Sequence, residues 1–310
     1  MRIRTISSRS LRDTRTARLP GVWRRCLAVI AAVGVTVPLT AQTPVSARIA
    51  GPMRFMLEIR PKAGDTVHMR LDQQVLMTGT TRVGRSDSTM SVLTGTHVRA
   101  RVMVEGSGPA WTNVLTVTDS IAVTSRGGRS QKRGEEARRT LEGKRLRMRV
   151  SPEGNAEITE NPDGLSDELA LIVGQMPATL PKHSVSVGQT WTQDIGVPLA
   201  GQTGSRGAGI LHTTFRLDSL SPEQRIAYIS MNGTFTRDSL SQGDLPMGAK
   251  LTSSGILKGE MRVDRMRGWM TDSRATITVN SLLTPPPGTS DQPMRFHMRI
   301  TQHMRAVDRP

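Results

Sequence analysis

The chain is predicted to be mainly β, with long antiparallel strands forming a curved sheet or half-barrel and one docked amphipathic helix. Three observations lead there. Long tracts alternate apolar and polar residues, the two-residue period of a sheet with one wet face. Turn signals separate them, among them Ser151-Pro152-Glu153-Gly154 and Asn161-Pro162-Asp163-Gly164. One stretch, Leu165 to Met176, shows the helical period instead. The alternative architecture is a pair of β-sandwiches split near Pro181.

Residues 1–41 read as a signal peptide. Eight arginines precede the apolar run Cys26–Leu39, and Leu39-Thr40-Ala41 offers a small residue for cleavage. The run is short for a membrane span. The expected location is therefore periplasmic or secreted, and the protein is not an integral membrane protein unless the signal stays uncleaved. Removing this stretch takes away eight Arg and one Asp, so the formal charge of +16 falls to +9. It also removes Cys26, the single cysteine. Disulfides, thiol catalysis and thiolate metal sites are thereby excluded from the mature chain.

Residues 42–64 are poorly periodic and are expected to form an N-terminal tether. Residues 65–310 form the β-rich domain, in two halves (65–160 and 186–310) joined by a helix and connector over 165–185. In the first half, Val67, Met69, Leu71 and Val75 alternate with His68, Arg70 and Asp72. Val98, Ala100, Val102 and Val104 form a second apolar stripe, and Leu115, Val117, Ile121 and Val123 a third. Arg126 to Arg139 is glycine-rich and charged, and reads as an exposed loop with a frayed helical turn. Leu146, Met148 and Val150 then alternate with Arg145, Arg147 and Arg149, and Asn155 to Glu160 returns as a hairpin partner.

The helix places Leu165, Leu169, Ile172, Val173 and Met176 on one face, with Ser166 as N-cap and Pro177 and Pro181 beyond its end. Burying five such side chains contributes roughly 1.5–3 kcal/mol each. Ordering its residues costs about 1–2 kcal/mol apiece. These nearly cancel, so the helix needs a sheet to lie on. In the second half, strands are expected over Trp191 to Val197, around Leu211 to Leu217, over Ile226 to Phe235 (inward face ambiguous), Leu257 to Asp264 and Trp269 to Leu283. Ser239 to Ser254 reads as a long loop. Met294, Phe296, Met298 and Ile300 mark a last strand, opposite Arg295, His297 and Arg299.

Leu141-Glu-Gly143 followed by Leu146 to Ile158, then Leu180-Pro181 and Val185-x-Val187-Gly188-x-Thr190-Trp191, resembles a family of uncharacterised exported bacterial proteins of unknown function. Those proteins carry an L-P-x-x-x-V-x-V-G-x-x-W connector between two β-rich halves, and a later strand-turn-strand like Gly259 to Met270. The resemblance implies a shape similar to the half-barrels of periplasmic lipoprotein carriers, which hold acyl chains between sheet and helix. No catalytic residues come with it.

The composition narrows function further. Aromatics are 3% of the chain while methionines number 17, so the core must be aliphatic and methionine-rich. Met also lines adaptable apolar sites. Three His-Met-Arg triplets, at 68–70, 297–299 and 303–305, suggest soft-metal ligands. Adjacent strand residues face opposite sides, however, so packing explains them and no metal is expected. Arginines on alternate positions lie about 7 Å apart and repel by about 0.6 kcal/mol in water. Such a solvated stripe needs no partner, and export with few aromatics argues against nucleic acid. No G-x-S-x-G, H-E-x-x-H, Walker or dinucleotide motif is present. The chain is expected to be non-enzymatic and without cofactor. Leu169, Ile172, Met176, Trp191, Phe215, Met261, Trp269 and Met298 are the candidate lining of a site for a lipophilic small molecule or envelope component between sheet and helix. An ordinary filled core is the alternative for these residues, and a scaffold using the basic outer face is the alternative function.

Overall fold

Short turns between alternating tracts bring each strand beside its predecessor, so the natural product is an antiparallel meander. The computed structural model describes residues 53–83, 86–126, 131–165, 180–197, 209–237, 249–288 and 292–307. All of these lie in one compact unit, Ala50–Pro310. The first half contributes β2 (Thr66–Val83), β3 (Ser86–Ser107), β4 (Thr112–Arg126), β5 (Arg145–Val150) and β6 (Ala156–Glu160). The second contributes β8 (Thr190–Val197), β9 (Gly209–Leu220), β10 (Ile226–Arg237), β11 (Lys250–Asp264), β12 (Trp269–Thr284) and β13 (Met294–Val307). Two short strands, β1 (Arg54–Phe55) and β7 (Val185–Ser186), pair with each other.

The eleven longer strands form one curved antiparallel sheet, ordered β6-β5-β4-β3-β2-β13-β12-β11-β10-β9-β8. Its centre is the pairing of β2 with β13, from Thr81 opposite Met294 to His68 opposite Val307. A single sheet overturns the alternative of two sandwiches. It also shows that the halves are joined by a ladder at the middle, not by the connector alone. The 165–176 helix lies outside the described residues, apart from Leu165, which is buried.

One face of the sheet carries the core. Its positions are Met69 on β2, Val102 and Val104 on β3, Met148 and Val150 on β5, Phe215 and Leu217 on β9, and Met261 and Val263 on β11, all in one apolar cluster. The register settles the ambiguous β10, whose Ile229, Met231 and Phe235 face inward. It also corrects β4. Asp119 is an extra residue between Thr118, opposite Ala100, and Ser120, opposite Arg99. This bulge reverses the alternation, so Val114, Thr116 and Thr118 point inward below it and Ile121 above it, while Leu115 and Val117 do not join the core. Glycines permit the curvature on β11. A Cβ at Gly255 or Gly259 would run into the carbonyl of Thr278 or Arg274 on β12.

The expected tether is a second correction. Phe55, Leu57 and Ile59 are buried, and they alternate with exposed Met56 and part-buried Glu58. Residues 53–61 therefore form a strap across one end of the sheet. Phe55 sits opposite Val185, the Ile59 amide donates to the Pro152 carbonyl at 2.8 Å, and the Arg60 amide donates to the Gly268 carbonyl at 2.8 Å. The connector crosses at the same end, where the Leu180 amide donates to the Glu153 carbonyl at 2.6 Å. Gln193 of edge strand β8 donates to the Leu180 carbonyl at 3.4 Å. Leu180 thus links the turn beside one sheet edge to the strand at the other. This end is closed.

A third correction concerns residues 126–139. Gln131–Leu141 is a helix, α1, with Leu141 buried and Arg138 and Arg139 in its last turn. Gly143, at φ 75°, ends it and donates to the Thr118 carbonyl at 2.7 Å. The expected long loop at 239–254 is also shorter, because β11 begins at Lys250.

At the β11–β12 turn, Asp264 is almost wholly buried. Both Arg225 nitrogens Nε and Nη2 donate to its Oδ2, at 2.9 and 2.7 Å, and the amides of Met266 and Arg267 donate to its Oδ1. Burial alone would raise this carboxyl, but the hydrogen bonds outweigh it and hold it below the ordinary carboxylate range. A depressed folded-state pKa stabilises the fold above the unfolded value of about 3.9, and the contribution is lost as pH falls through the folded value. Asp264→Ala is expected to cost about 3 kcal/mol and to flatten the acid limb of a stability–pH curve measured by urea titration. Gly268 has φ 59°, and a Cβ there would run into the Arg60 backbone. Gly268→Ala and Leu57→Ala should each lower stability by about 2–4 kcal/mol in thermal melts. Unchanged melting would remove the strap from the folding core.

Candidate ligand-binding face

Along the inner face, the cross-strand rows change character from the closed end to the open end. Near the strap the row residues are buried. Further along comes a polar row, Thr96, Gln73 and Gln302 on adjacent strands β3, β2 and β13. Beyond it the face is apolar again but only half-buried. It is built from Val75, Ile300 and Ile277, then Val92, Met77 and Met298, then Met90 and Phe296. Met77 is 37% exposed and Met90 58%. Open apolar surface on the face that elsewhere forms the core is the main candidate site. Its methionines can adapt to an irregular apolar ligand.

Of the five described candidate residues, Trp191, Phe215, Met261 and Met298 lie on this inner face and Trp269 is opposite Asp264, beside inward Met270; the five do not come together. Phe215, Met261 and Trp269 are each about 1% exposed or less and belong to the filled closed end. Trp191 stacks on Phe215 at a centroid separation of 5.7 Å with an interplanar angle of 12°. It borders a cleft of about 540 Å³ between β8 and the connector, lined also by Pro181 and His183. Met298 alone falls in the half-exposed patch. Leu169, Ile172 and Met176 lie outside the described residues. Sequence reasoning missed Met77, Met90 and Val92, and the Gln73/Gln302 pair. The signal was present: each glutamine interrupts an apolar stripe, and the β2 and β13 alternation extends beyond the stretches it was read over.

The outer face is charged and largely self-neutralised near the closed end. Arg145 binds Asp163, Arg147 binds Glu105 and Glu160, and Arg149 binds Glu157. The Arg149 guanidinium also lies 4.7 Å from the centre of the Trp111 ring. At the β2–β3 ladder, Asp72 lies 2.6 Å from His97 Nδ1 and 2.9 Å from Arg70 Nε. Burial would raise the Asp72 carboxyl, but hydrogen bonds from His97 and Arg70 prevail and hold it low. The Asp163 carboxyl is lowered, first by the Arg145 side chain and then by its backbone amide. The Arg145–Arg149 stripe is therefore built into ion pairs. The His-Met-Arg triplets separate as strand geometry requires: Met69, Met298 and Met304 pack inward, while His297 and His303 face outward. Among the described residues no three His, Cys, Asp or Glu side chains form a group fit for a metal. No described helix is long and apolar enough to cross a membrane.

The fold and this face define a half-barrel-like antiparallel β protein with an apolar interior and a charged exterior. Residues 166–270, which include the L-P and V-G-x-T-W connector, match the model of a family described as "Family of unknown function (DUF6263)". The expected resemblance to an uncharacterised β-rich family is thereby shown. No curated protein matches the chain. Among solved structures, a lipovitellin structure titled for lipid–protein interactions aligns at 10% identity and a TM-score of 0.44. It covers 81% of this chain and 25% of that one, so the chain spans about a quarter of lipovitellin's length. DynF from the dynemicin pathway of Micromonospora chersina aligns at 11% identity over 84% of this chain and 88% of that one, with a TM-score of 0.22. The outer membrane protein OprG from Pseudomonas aeruginosa aligns at 8% identity over 80% and 96%, with a TM-score of 0.21.

Proposed function

We propose that this is an exported, non-enzymatic protein of the cell envelope that binds a lipophilic molecule on the inner face beyond the Gln73/Gln302 row. Export rests on residues 1–41 and their arginine-then-apolar pattern. Binding rests on one observation: Met77 and Met90 stay open on the same face that is filled at the closed end. The ligand it suits is elongated and apolar, with the two glutamines offering hydrogen bonds at its inner end. Gln73 and Gln302 sit opposite each other across β2 and β13, at the depth where such a ligand would stop.

The polarity of the two faces supports a water-soluble carrier over a membrane-spanning barrel. Lipid-embedded barrels are apolar outside and polar inside. Here Arg70, Asp72, Arg101 and Arg274 lie on the outer face. The scaffold reading gains less support, because most outer arginines near the closed end already have carboxylate partners.

The test uses the secreted form purified without detergent. Organic extraction and mass spectrometry should recover a lipophilic compound, and the delipidated protein should bind an environment-sensitive dye. Met77→Glu combined with Met298→Glu should weaken dye binding by about tenfold or more while melting stays near that of the parent. A clean extract together with no dye binding would overturn the carrier reading.

A further inference from the structure

The outer face is not uniformly neutralised. Its carboxylates on the central strands, Asp72, Asp272 and Glu260, sit toward the closed end and hold His97, His303 and Arg274. From the row Lys258, Thr276, Thr301 and Gln74 to the open rim, no outer position of β11, β12, β13 or β2 is acidic. Arg295 and Arg299 stand in that region on β13 and make no ion pair among the described residues. Arg295 and Arg299 therefore face no carboxylate on their own strand or on the neighbouring strands β12 and β2 in this region.

At the same place the four strands form a cleft of about 430 Å³. That volume is within the range of small-molecule sites. Its outer-face lining comes from two adjacent cross-strand rows. One is Thr78, His297, Asn280 and Ser254, and the other is Thr80, Arg295, Leu282 and Thr252. His297 Nδ1 lies 2.9 Å from Asn280 Oδ1, which orients the ring and leaves its second nitrogen for a ligand. Beside the apolar Leu282 and Phe296, the lining therefore offers several hydroxyls, one amide, one imidazole and one guanidinium without an ion pair among the described residues, with no carboxylate. A guanidinium pairs in bidentate fashion with phosphate or carboxylate. Hydroxyls and an amide, each both donor and acceptor, suit the hydroxyls of a polyol.

We infer that this outer-face cleft is a second binding site, for an anionic, hydroxyl-bearing group such as a sugar phosphate or a glycerol phosphate. Arg295 takes the charge, and His297, Asn280 and the threonines take the hydroxyls. The outer-face residues of this site lie on the opposite face from the lipophilic patch, Phe296 alone bordering both, and each site has its own test.

The experiment titrates the secreted form, followed by NMR or calorimetry, with glucose 6-phosphate, glycerol 3-phosphate, inorganic phosphate and glucose. Sugar or glycerol phosphate should bind more tightly than inorganic phosphate or glucose. Arg295→Gln should weaken that binding by about tenfold or more. Arg126→Gln, at an arginine on a different strand with no ion pair among the described residues, should leave it unchanged, and both variants should melt like the parent. Co-sedimentation with vesicles of equimolar phosphatidylcholine and phosphatidylglycerol then separates the sources. Capture lost in Arg295→Gln assigns the group to a lipid headgroup, and no capture assigns it to a free sugar phosphate. Absent binding, equal binding of glucose, or equal loss in the two arginine variants would each overturn the proposal.

Discussion

A sheet one layer thick has to bury its apolar face against something, and this protein does so by curling the sheet on itself and strapping one end. Inner residues from both halves, such as Met148 and Val150 on β5 and Phe215 and Leu217 on β9, meet in one cluster. Phe55, Leu57, Ile59 and Leu180 fill that cluster from the end. Each fully buried aliphatic side chain contributes roughly 1.5–3 kcal/mol, and none of these residues could be buried in a flat sheet. The remaining features follow from this requirement. Glycines at 255 and 259 allow the close approach that bending needs, the Asp119 bulge reorients β4, and Gly268 leaves room for the strap.

The same geometry divides the molecule lengthwise. At the strapped end the turns are tied by backbone hydrogen bonds and by the buried Asp264, which is held by Arg225 and two amides. At the opposite end the inner face is left half-open, and its methionines are the surface on which a carrier reading rests. A filled end and an open end on one continuous face also explain why the candidate residues part company. Phe215, Met261 and Trp269 build the filled end, and Met298 belongs to the open one.

Charge follows the same division. A chain this basic suggests an anionic partner, yet Arg145, Arg147 and Arg149 are each paired across the β4–β5–β6 region or with the turn after it. Pairing on cross-strand neighbours turns a repulsive stripe into a modest stabiliser. What matters for recognition is the charge that remains unpaired, and Arg295 on β13 carries such a charge beside the hydroxyl-lined cleft.

Much of this was readable from the sequence alone. The β class, the inward stripes of β2 and β13 and the hairpin at Pro152 follow from local alternation and turn chemistry, which need no knowledge of distant contacts. The family match over 166–270 spans the connector motif that the sequence reading singled out. Other features depended on tertiary structure. The strap reads as a tether in sequence because three alternating apolar residues, Phe55, Leu57 and Ile59, acquire meaning only when a sheet end waits to receive them. Leu115 and Val117 were assigned to the core because a bulge is set by the partner strand, not by the bulged one. The pairing of β2 with β13, and with it the polar Gln73/Gln302 row and both candidate sites, joins segments more than two hundred residues apart. Only the closing of the sheet brings them together, since strand order is a property of the whole chain's packing and no local pattern encodes it.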